Sequence, residues 1–184
     1  PSILEINGEH YIITGSNDNN LYVINSDGSL YFSVAAEDKI QTSPSFLEVN
    51  GNVYIFFGSK DDKIYGVDMS GVALPGWPIA LDGNIEGSII FSDMNGDNEP
   101  EVATVSDMGE MGVFHLDGSS YHHFPILNNY PFKGSPMIID FDSDGDLEIF
   151  GGSVGNLAGI DIKESGSNEN YWNIFRGNNQ RNGL

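Results

Sequence analysis

Short runs of apolar and β-branched residues follow one another along the chain, separated by turn residues. In the first part of the chain these runs are Ser2–Ile6, Tyr11–Thr14, Leu21–Ile24 and Leu30–Val34. Runs of about four to six residues bounded by Gly, Asn and Asp are typical of β-strands joined by tight hairpins. Because no stretch shows a convincing helical period, the pattern predicts an all-β fold.

The runs recur in four units. A shift of 43 residues places Asn7-Gly8 on Asn50-Gly51. A shift of 47 residues places Gly87-Ser88 on Gly134-Ser135. Four short strands per unit at this period predict the antiparallel blades of a β-propeller, in which blades stack because none can bury its own faces. A β-solenoid or a β-sandwich is the alternative. We place the units near residues 1–43, 44–86, 87–133 and 134–184.

The third and fourth units each carry an acidic loop with side-chain oxygens at positions 1, 3, 5 and 9. Ca²⁺ is a hard cation that takes about six to eight oxygen ligands. Alternating positions in a tight loop turn side chains inward, and position 7 would add its backbone carbonyl. We therefore predict two Ca²⁺ sites. Their candidate ligands are Asp93, Asn95, Asp97, Glu99 and Glu101 in the third unit, and Asp140, Asp142, Asp144, Asp146 and Glu148 in the fourth.

The first two units close the same hairpin with a shorter turn that lacks the cluster of acids. They have Asn7-Gly8 and Asn50-Gly51 there, and Asn-Gly is the strongest signal for a two-residue hairpin turn. Clustered acids would repel one another, and a cation relieves that repulsion. An EF-hand is excluded because its loop ends with Glu at position 12 between two helices, whereas these loops lie between predicted strands.

The composition of the chain restricts the classes of partner and the kinds of site that it can have. The net charge is −20, from 27 acidic and 7 basic residues, and such a surface repels nucleic acid. The chain has no Cys, so disulfides and thiolate metal sites are excluded. No apolar run is long enough to span a membrane. No signal peptide is present and the chain starts inside a repeat, so we expect a mature product or a fragment.

The acidic loop of the fourth unit is preceded by Gly134-Ser135-Pro136, and a segment of the type Trp77-Pro78-Ile79 follows a blade. Together these features resemble FG-GAP repeats. These occur in integrin α-subunit heads and in secreted bacterial proteins. The stretch 171–183 resembles a C-terminal segment of bacterial FG-GAP and quinoprotein-like propellers. The resemblance implies Ca²⁺ in blade hairpins, a secreted or cell-surface location, and often adhesion. It also implies a ring of about seven or eight blades, so we expect further blades or a second copy to complete the ring.

No catalytic constellation stands out in the sequence. We interpret His122-His123 as surface residues, since neighbours on a strand point to opposite faces. Trp77 and Tyr130 are suited either to stacking on a sugar or to packing between blades. Trp172 and Phe175 are predicted to cover a blade edge or the last gap between blades, and Arg176 and Arg181 to pair with carboxylates.

We therefore expect a non-catalytic module for adhesion or for binding an extracellular protein or carbohydrate. The alternative is part of a propeller-fold polysaccharide lyase or glycoside hydrolase, whose paired carboxylates the sequence cannot single out among 27 acids. Quinone-dependent redox chemistry is a third idea, suggested only by the C-terminal segment.

Overall fold

Antiparallel β-sheets account for the regular structure of the computed structural model, which describes residues 1–169 and 171–174. The first two sheets have four strands each, and in both the order in space is the order in the chain. Each strand thus pairs with the one before it, as in a propeller blade. Blade 1 contains β1 (Ser2–Ile6), β2 (Glu9–Gly15), β3 (Asn20–Asn25) and β4 (Leu30–Ala35), and blade 2 contains β5 (Ser45–Val49), β6 (Asn52–Gly58), β7 (Lys63–Asp68) and β8 (Ile79–Ala80).

The second half of the chain repeats this arrangement. Blade 3 again has four strands, whereas blade 4 has three within the described residues, one fewer than the repeat predicts. Among the residues that the structure describes, no helix has the length and hydropathy of a membrane span. Blade 3 contains β9 (Ile90–Ser92), β10 (Glu101–Val105), β11 (Glu110–Phe114) and β12 (Ile126–Leu127), and blade 4 contains β13 (Met137–Ile139), β14 (Asp146–Gly152) and β15 (Leu157–Ser165).

The first hairpin of each blade is closed in one of two ways, as the sequence predicts. In blade 1, Asn7 and Gly8 have φ angles of 52° and 82°, and the corresponding pair Asn50-Gly51 has 52° and 75°. Two consecutive positive φ angles make the turn that matches the twist of paired strands. In blades 3 and 4 residues 93–100 and 140–145 form longer loops at this place.

The hydrophobic core lies between neighbouring blades, because each sheet turns alternate residues to opposite faces. Three clusters of buried side chains join blade 1 to 2, blade 2 to 3, and blade 3 to 4. The clusters include Ile13, Leu21, Phe46 and Ile55 in the first, Phe56, Trp77, Phe91 and Phe114 in the second, and Met111, Val113, Ile138 and Ile149 in the third.

Trp77 packs between blades 2 and 3 rather than on the surface. Its side chain is buried, its ring lies edge-on to that of Phe56 at 5.0 Å, and its indole N–H donates to the carbonyl of Leu116 at 2.9 Å. The interpretation of Trp77 as a packing residue is therefore confirmed. Tyr130 is about half-exposed and its ring lies on Gly155.

The first strands of the blades meet at the centre of the arrangement. The hydroxyl of Ser2 donates to the Pro44 carbonyl at 2.8 Å, and the Ser135 hydroxyl accepts from the backbone N–H of Ser88 at 2.7 Å. We call β1, β5, β9 and β13 the inner strands.

Residues 171–174 cross these inner strands. The backbone N–H of Phe91 donates to the Trp172 carbonyl at 2.8 Å, and the Trp172 ring lies 5.1 Å from Phe46. Trp172 thus covers the junction of blades 2 and 3 from the inside. The other predicted residues of this segment, Phe175, Arg176 and Arg181, lie outside the described residues.

Candidate metal sites

The two acidic loops share one backbone conformation. We call residues 93–101 the third-blade loop and residues 140–148 the fourth-blade loop. The third-blade loop has positive φ at Gly96 (75°) and Asn98 (68°). The fourth-blade loop has positive φ at the equivalent Ser143 (66°) and Gly145 (95°). Asn adopts this left-handed region far more readily than most residues, so Asn98 preserves the bend that Gly145 makes in the other loop.

The fourth-blade loop gathers four carboxylates around one point. Asp142, Asp144, Asp146 and Glu148 each offer an oxygen, and these oxygens all lie within 4.8 Å of one another. Ca²⁺–oxygen bonds of about 2.3–2.6 Å place opposite ligands about 4.6–5.2 Å apart. The four oxygens are therefore spaced as ligands of a single Ca²⁺. The carboxylate of Asp146 joins this group, although the sequence assigned only its backbone carbonyl.

Asp140, the first residue of this loop, has a different role. Its Oδ1 accepts a hydrogen bond from the backbone N–H of Ser143 at 2.7 Å, which holds the first bend of the loop. It does not belong to the group of four carboxylates. The structure thus brings four of the five predicted ligands of this loop together.

The electrostatics of the fourth-blade loop favour a cation. A hydrogen bond with Asp144, burial and the negative charge of Asp144 raise the pKa of Asp146 to about 6, and the same hydrogen bond lowers the pKa of Asp144. Oδ1 of Asp146 is buried without a hydrogen-bond partner among the described residues. Lys163 is exposed and its Nζ lies 3.8 Å from Asp146, so it screens the cluster only in part. A bound cation would supply the missing partner.

Asp93 organises the third-blade loop. Its carboxylate is buried and accepts from the backbone N–H groups of Gly96 at 2.7 Å and of Asn98 at 3.0 Å. Asn95 donates its side-chain N–H to Asp97 Oδ2 at 3.1 Å. With the amide in this orientation the predicted ligands Asn95 and Asp97 bond to each other.

Glu99, at position 7 of the third-blade loop, is exposed to solvent. Its backbone N–H donates to Asp97 Oδ1 at 2.7 Å. Within the described residues, this loop forms no cluster of carboxylates like that of the fourth-blade loop. Its ligand set is therefore less fully assembled than that of its counterpart.

The ninth-position glutamates are buried in both loops. Glu101 Oε2 accepts the backbone N–H of Met94 at 2.7 Å, and Glu148 Oε2 accepts that of Phe141 at 2.6 Å. Burial raises the pKa of Glu101 to about 7, with a further contribution from Asp97 and Asp93 and an opposing one from the Met94 N–H. A buried carboxylate beside other acids is stabilised by an adjacent positive charge. The candidate ligands of both loops are oxygen atoms, which suit Ca²⁺.

Two neighbours of the third-blade loop escaped prediction. Ser167 and Asp93 exchange backbone hydrogen bonds of 3.0 and 2.7 Å, and a Cβ on Gly166 would lie 2.5 Å from the Asp93 carbonyl oxygen. The His115 Nδ1 lies 3.3 Å from Glu101 Oε1. The sequence carries no local signal for the contact of residues 166–167 with Asp93, because these segments lie far apart in the chain. The His115 contact arises instead within the β10–β11 hairpin, where the adjacent residues Val102 and Phe114 are paired.

The adjacent histidines His122 and His123 lie in a turn, not on a strand as the sequence suggested. Their rings are 4.9 Å apart, because His123 has a positive φ of 67° and the chain reverses there. Both side chains are exposed, and His122 Nε2 lies 3.1 Å from Glu164 Oε1. They are surface residues, as predicted, but they lie in a turn rather than on opposite faces of a strand.

We expect Asp144→Ala to abolish Ca²⁺ binding by the fourth-blade loop alone, because it deletes one of the four clustered carboxylates and leaves the third-blade loop intact. Calcium titration by calorimetry checks this: the number of ions per chain should fall from two to one. Asp27→Ala is the matched control, since Asp27 lies in an ordinary turn where it bonds Ser29. Loss of both ions in Asp144→Ala would contradict independent sites.

Comparisons with known proteins agree on the fold. No protein-family model and no curated protein matches the chain. Among solved structures, BamB from Moraxella catarrhalis has a TM-score of 0.60 at 16% identity, over 89% of this chain and 46% of BamB. BBS1N in complex with ARL6DN has a TM-score of 0.60 at 14% identity, over 87% of this chain and 46% of BBS1N.

A third similar structure is of comparable length. The computationally designed Ika4 protein has a TM-score of 0.58 at 14% identity, over 87% of this chain and 89% of Ika4. The chain thus spans less than half the length of BamB and of BBS1N. Identities this low show the fold alone. Since BamB and BBS1N are β-propellers, the chain is an all-β protein built from β-propeller blades.

Proposed function

We propose that the chain is a calcium-binding β-propeller module of the FG-GAP type, which binds an extracellular protein or carbohydrate and performs no catalysis. The observation that carries the proposal is the group of carboxylate oxygens within 4.8 Å of one another in the fourth-blade loop. The partnerless Oδ1 of Asp146 adds to it, because a buried carboxylate oxygen without a partner costs free energy that a cation recovers.

Calcium fits these loops better than magnesium does. Mg²⁺ requires near-ideal octahedral geometry at about 2.0–2.1 Å and keeps several of its waters, whereas Ca²⁺ accepts irregular cages of carboxylates and carbonyls. The fourth-blade loop offers carboxylates at alternating positions on an exposed turn, with open space for water. Calcium sites of extracellular modules have dissociation constants of about 10⁻⁴–10⁻³ M, so such a site fills where calcium is millimolar.

An exposed apolar rim is suited to a partner. Met108, Leu127, Tyr130 and Val154 are exposed at the end of blades 3 and 4 opposite the acidic loops. Two backbone hydrogen bonds fix the parts of this rim to one another. The Asn128 N–H donates to the Gly109 carbonyl at 2.8 Å, and the Val154 N–H donates to the Pro131 carbonyl at 3.0 Å.

Exposed apolar patches on soluble proteins mark interaction sites, and BBS1N is a propeller solved with a protein partner, ARL6DN. We assign the rim to partner binding and the acidic loops to stiffening the blades that carry it. Secretion and adhesion follow from the same proposal, since millimolar calcium is found outside the cell.

The test is a binding screen against arrays of extracellular proteins and glycans, with millimolar calcium or with a chelator. We expect binding that depends on calcium and weakens in Leu127→Asp, with every bound molecule recovered unaltered. Val72→Asp, at a comparably exposed apolar residue outside the rim, should bind as the wild type. Shortened or unsaturated glycans in the eluate would contradict the non-catalytic assignment and indicate a lyase or hydrolase.

A further inference from the structure

Blade 1 has one sheet face that no other described residue covers. Ile3 pairs with Ile12, Ile12 with Ile24, and Ile24 with Leu30. Residues directly opposite in neighbouring strands share a face, so these four side chains form one apolar row across the blade. Ile3, Ile12 and Leu30 are 50%, 43% and 58% exposed. We call this row the leading face.

The repeat shows what normally covers a leading face. The equivalent row in blade 2 begins with Phe46, which pairs with Ile55, which pairs with Val67. These side chains are 7%, 0% and 1% exposed, because blade 1 packs on them in one hydrophobic cluster. Ile138, Ile149 and Ile160 form such a row in blade 4, packed against blade 3. A leading face is thus covered by the opposite face of a preceding blade.

Blade 4 has the complementary free face. Phe150 lies across Gly159, whose added Cβ would be 2.8 Å from its ring, as Phe56 lies across Gly66, where the distance is 2.6 Å. Phe56 is fully buried, with the ring of Phe91 from the next blade 5.1 Å away. Phe150 occupies the same place in blade 4 with no such neighbour among the described residues and is partly exposed.

Further apolar side chains extend this face, which we call the trailing face. Phe141 is 71% exposed and its ring lies 5.6 Å from that of Phe150. Leu157 is 68% exposed. It lies two residues before Gly159 on β15 and therefore on the same face of the sheet. The trailing face of blade 4 therefore presents the kind of surface that blade 2 buries against blade 3.

We propose that the occupant of both faces is a second copy of this chain. Two copies placed head to tail bring each trailing face onto the partner's leading face. The ring then has twice the four sheets of one chain, and a two-fold axis relates its two new interfaces. Such an arrangement closes and leaves no face free to propagate.

The length of the chain agrees with such a ring, and its net charge affects how strongly the two copies associate. The chain covers 46% of BamB and 46% of BBS1N, so two copies span about the length of one such protein. Each copy carries a net charge of −20, so the copies repel at low ionic strength. Salt screens this repulsion, and we expect the dimer to strengthen as salt rises.

Sedimentation and light scattering of the whole chain test the proposal. At physiological salt and in calcium we expect a mass of twice 20.0 kDa. Ile12→Lys on the leading face and Phe150→Glu on the trailing face should each reduce the mass to 20.0 kDa. Val72→Lys, at an exposed apolar residue of blade 2 on neither face, should stay dimeric. Circular dichroism and calcium stoichiometry confirm that each variant is folded and report on calcium binding separately.

Mixing the two variants provides the decisive measurement. In a head-to-tail ring one interface of the mixed dimer is wild type and the other joins Lys to Glu, so the mass should return to twice 20.0 kDa. A wild type that stays monomeric at high concentration would overturn the proposal. So would a dimer that survives both variants, or folded variants that fail to complement each other.

Discussion

Replacing Trp77 by Ala should lower the free energy of unfolding by about 3–5 kcal/mol, the usual cost of removing a large buried aromatic side chain. Trp77 is buried between blades 2 and 3, where its ring contacts Phe56 and Phe114 at 5.0 and 6.5 Å. The substitution also leaves the Leu116 carbonyl without its donor. Because the cores lie between blades, the loss should loosen the stacking of the two halves of the chain.

Thermal and urea unfolding measure this effect. For a chain of this size we expect the melting temperature to fall by about 10 °C. Trp77→Phe should cost less, since it keeps an aromatic ring and loses only the indole hydrogen bond and part of the packing. Val72→Ala, at an exposed residue on the same blade, is the control and should stay within about 0.5 kcal/mol of the wild type. A Trp77→Ala chain as stable as that control would contradict inter-blade packing as the main source of stability.

Saturating calcium should raise the melting temperature by about 5–10 °C over that in a chelator. Only the folded chain assembles the carboxylates, so binding stabilises it by mass action: at ten times the dissociation constant each site contributes about 1.4 kcal/mol. Two sites together give about 3 kcal/mol, and this converts to the stated shift for a domain of this length. The repulsion among Asp142, Asp144, Asp146 and Glu148 in the ion-free loop adds to the difference.

Differential scanning calorimetry in excess chelator, calcium or magnesium provides the measurement. Magnesium should give a much smaller shift than calcium, because Mg²⁺ requires near-ideal octahedral geometry and keeps several of its waters, whereas Ca²⁺ accepts irregular cages of oxygen ligands. Asp144→Ala should keep only the part of the shift that the third-blade loop provides, and Asp27→Ala should keep all of it. An unchanged midpoint between chelator and calcium would rule out metal stabilisation.

The blades and the places of their turns were predictable because they depend on residues close together in the chain. Asn7-Gly8 and Asn50-Gly51 adopt consecutive positive φ angles, as the steric freedom of Asn and Gly allows. The spacing of the acids identified both loops. The structure adds that position 6 bends in the same way in both loops, since Asn98 and Gly145 both have positive φ.

The ligands within a loop were less predictable than the loop itself. Asp146 contributes its carboxylate to the cluster, whereas Asp140 bonds Ser143 and stands apart. Equal spacing in the sequence does not fix these roles, because a side chain's rotamer depends on which backbone N–H groups and charges surround it. The orientation of Asn95 toward Asp97 in the other loop is of the same kind.

By itself the sequence determined the four-fold repeat, the strands, the two kinds of hairpin and the acidic loops, since each arises from the periodicity and turn chemistry of neighbouring residues. Only the tertiary structure decided which equivalent positions are covered. Phe46 and Ile3 occupy the same place in successive blades, yet Phe46 is buried by blade 1 and Ile3 faces outward. The pairing of Ser92 with Ser167, 75 positions apart, was likewise decided there, because stacking of blades brings distant segments together without any local signal in the chain.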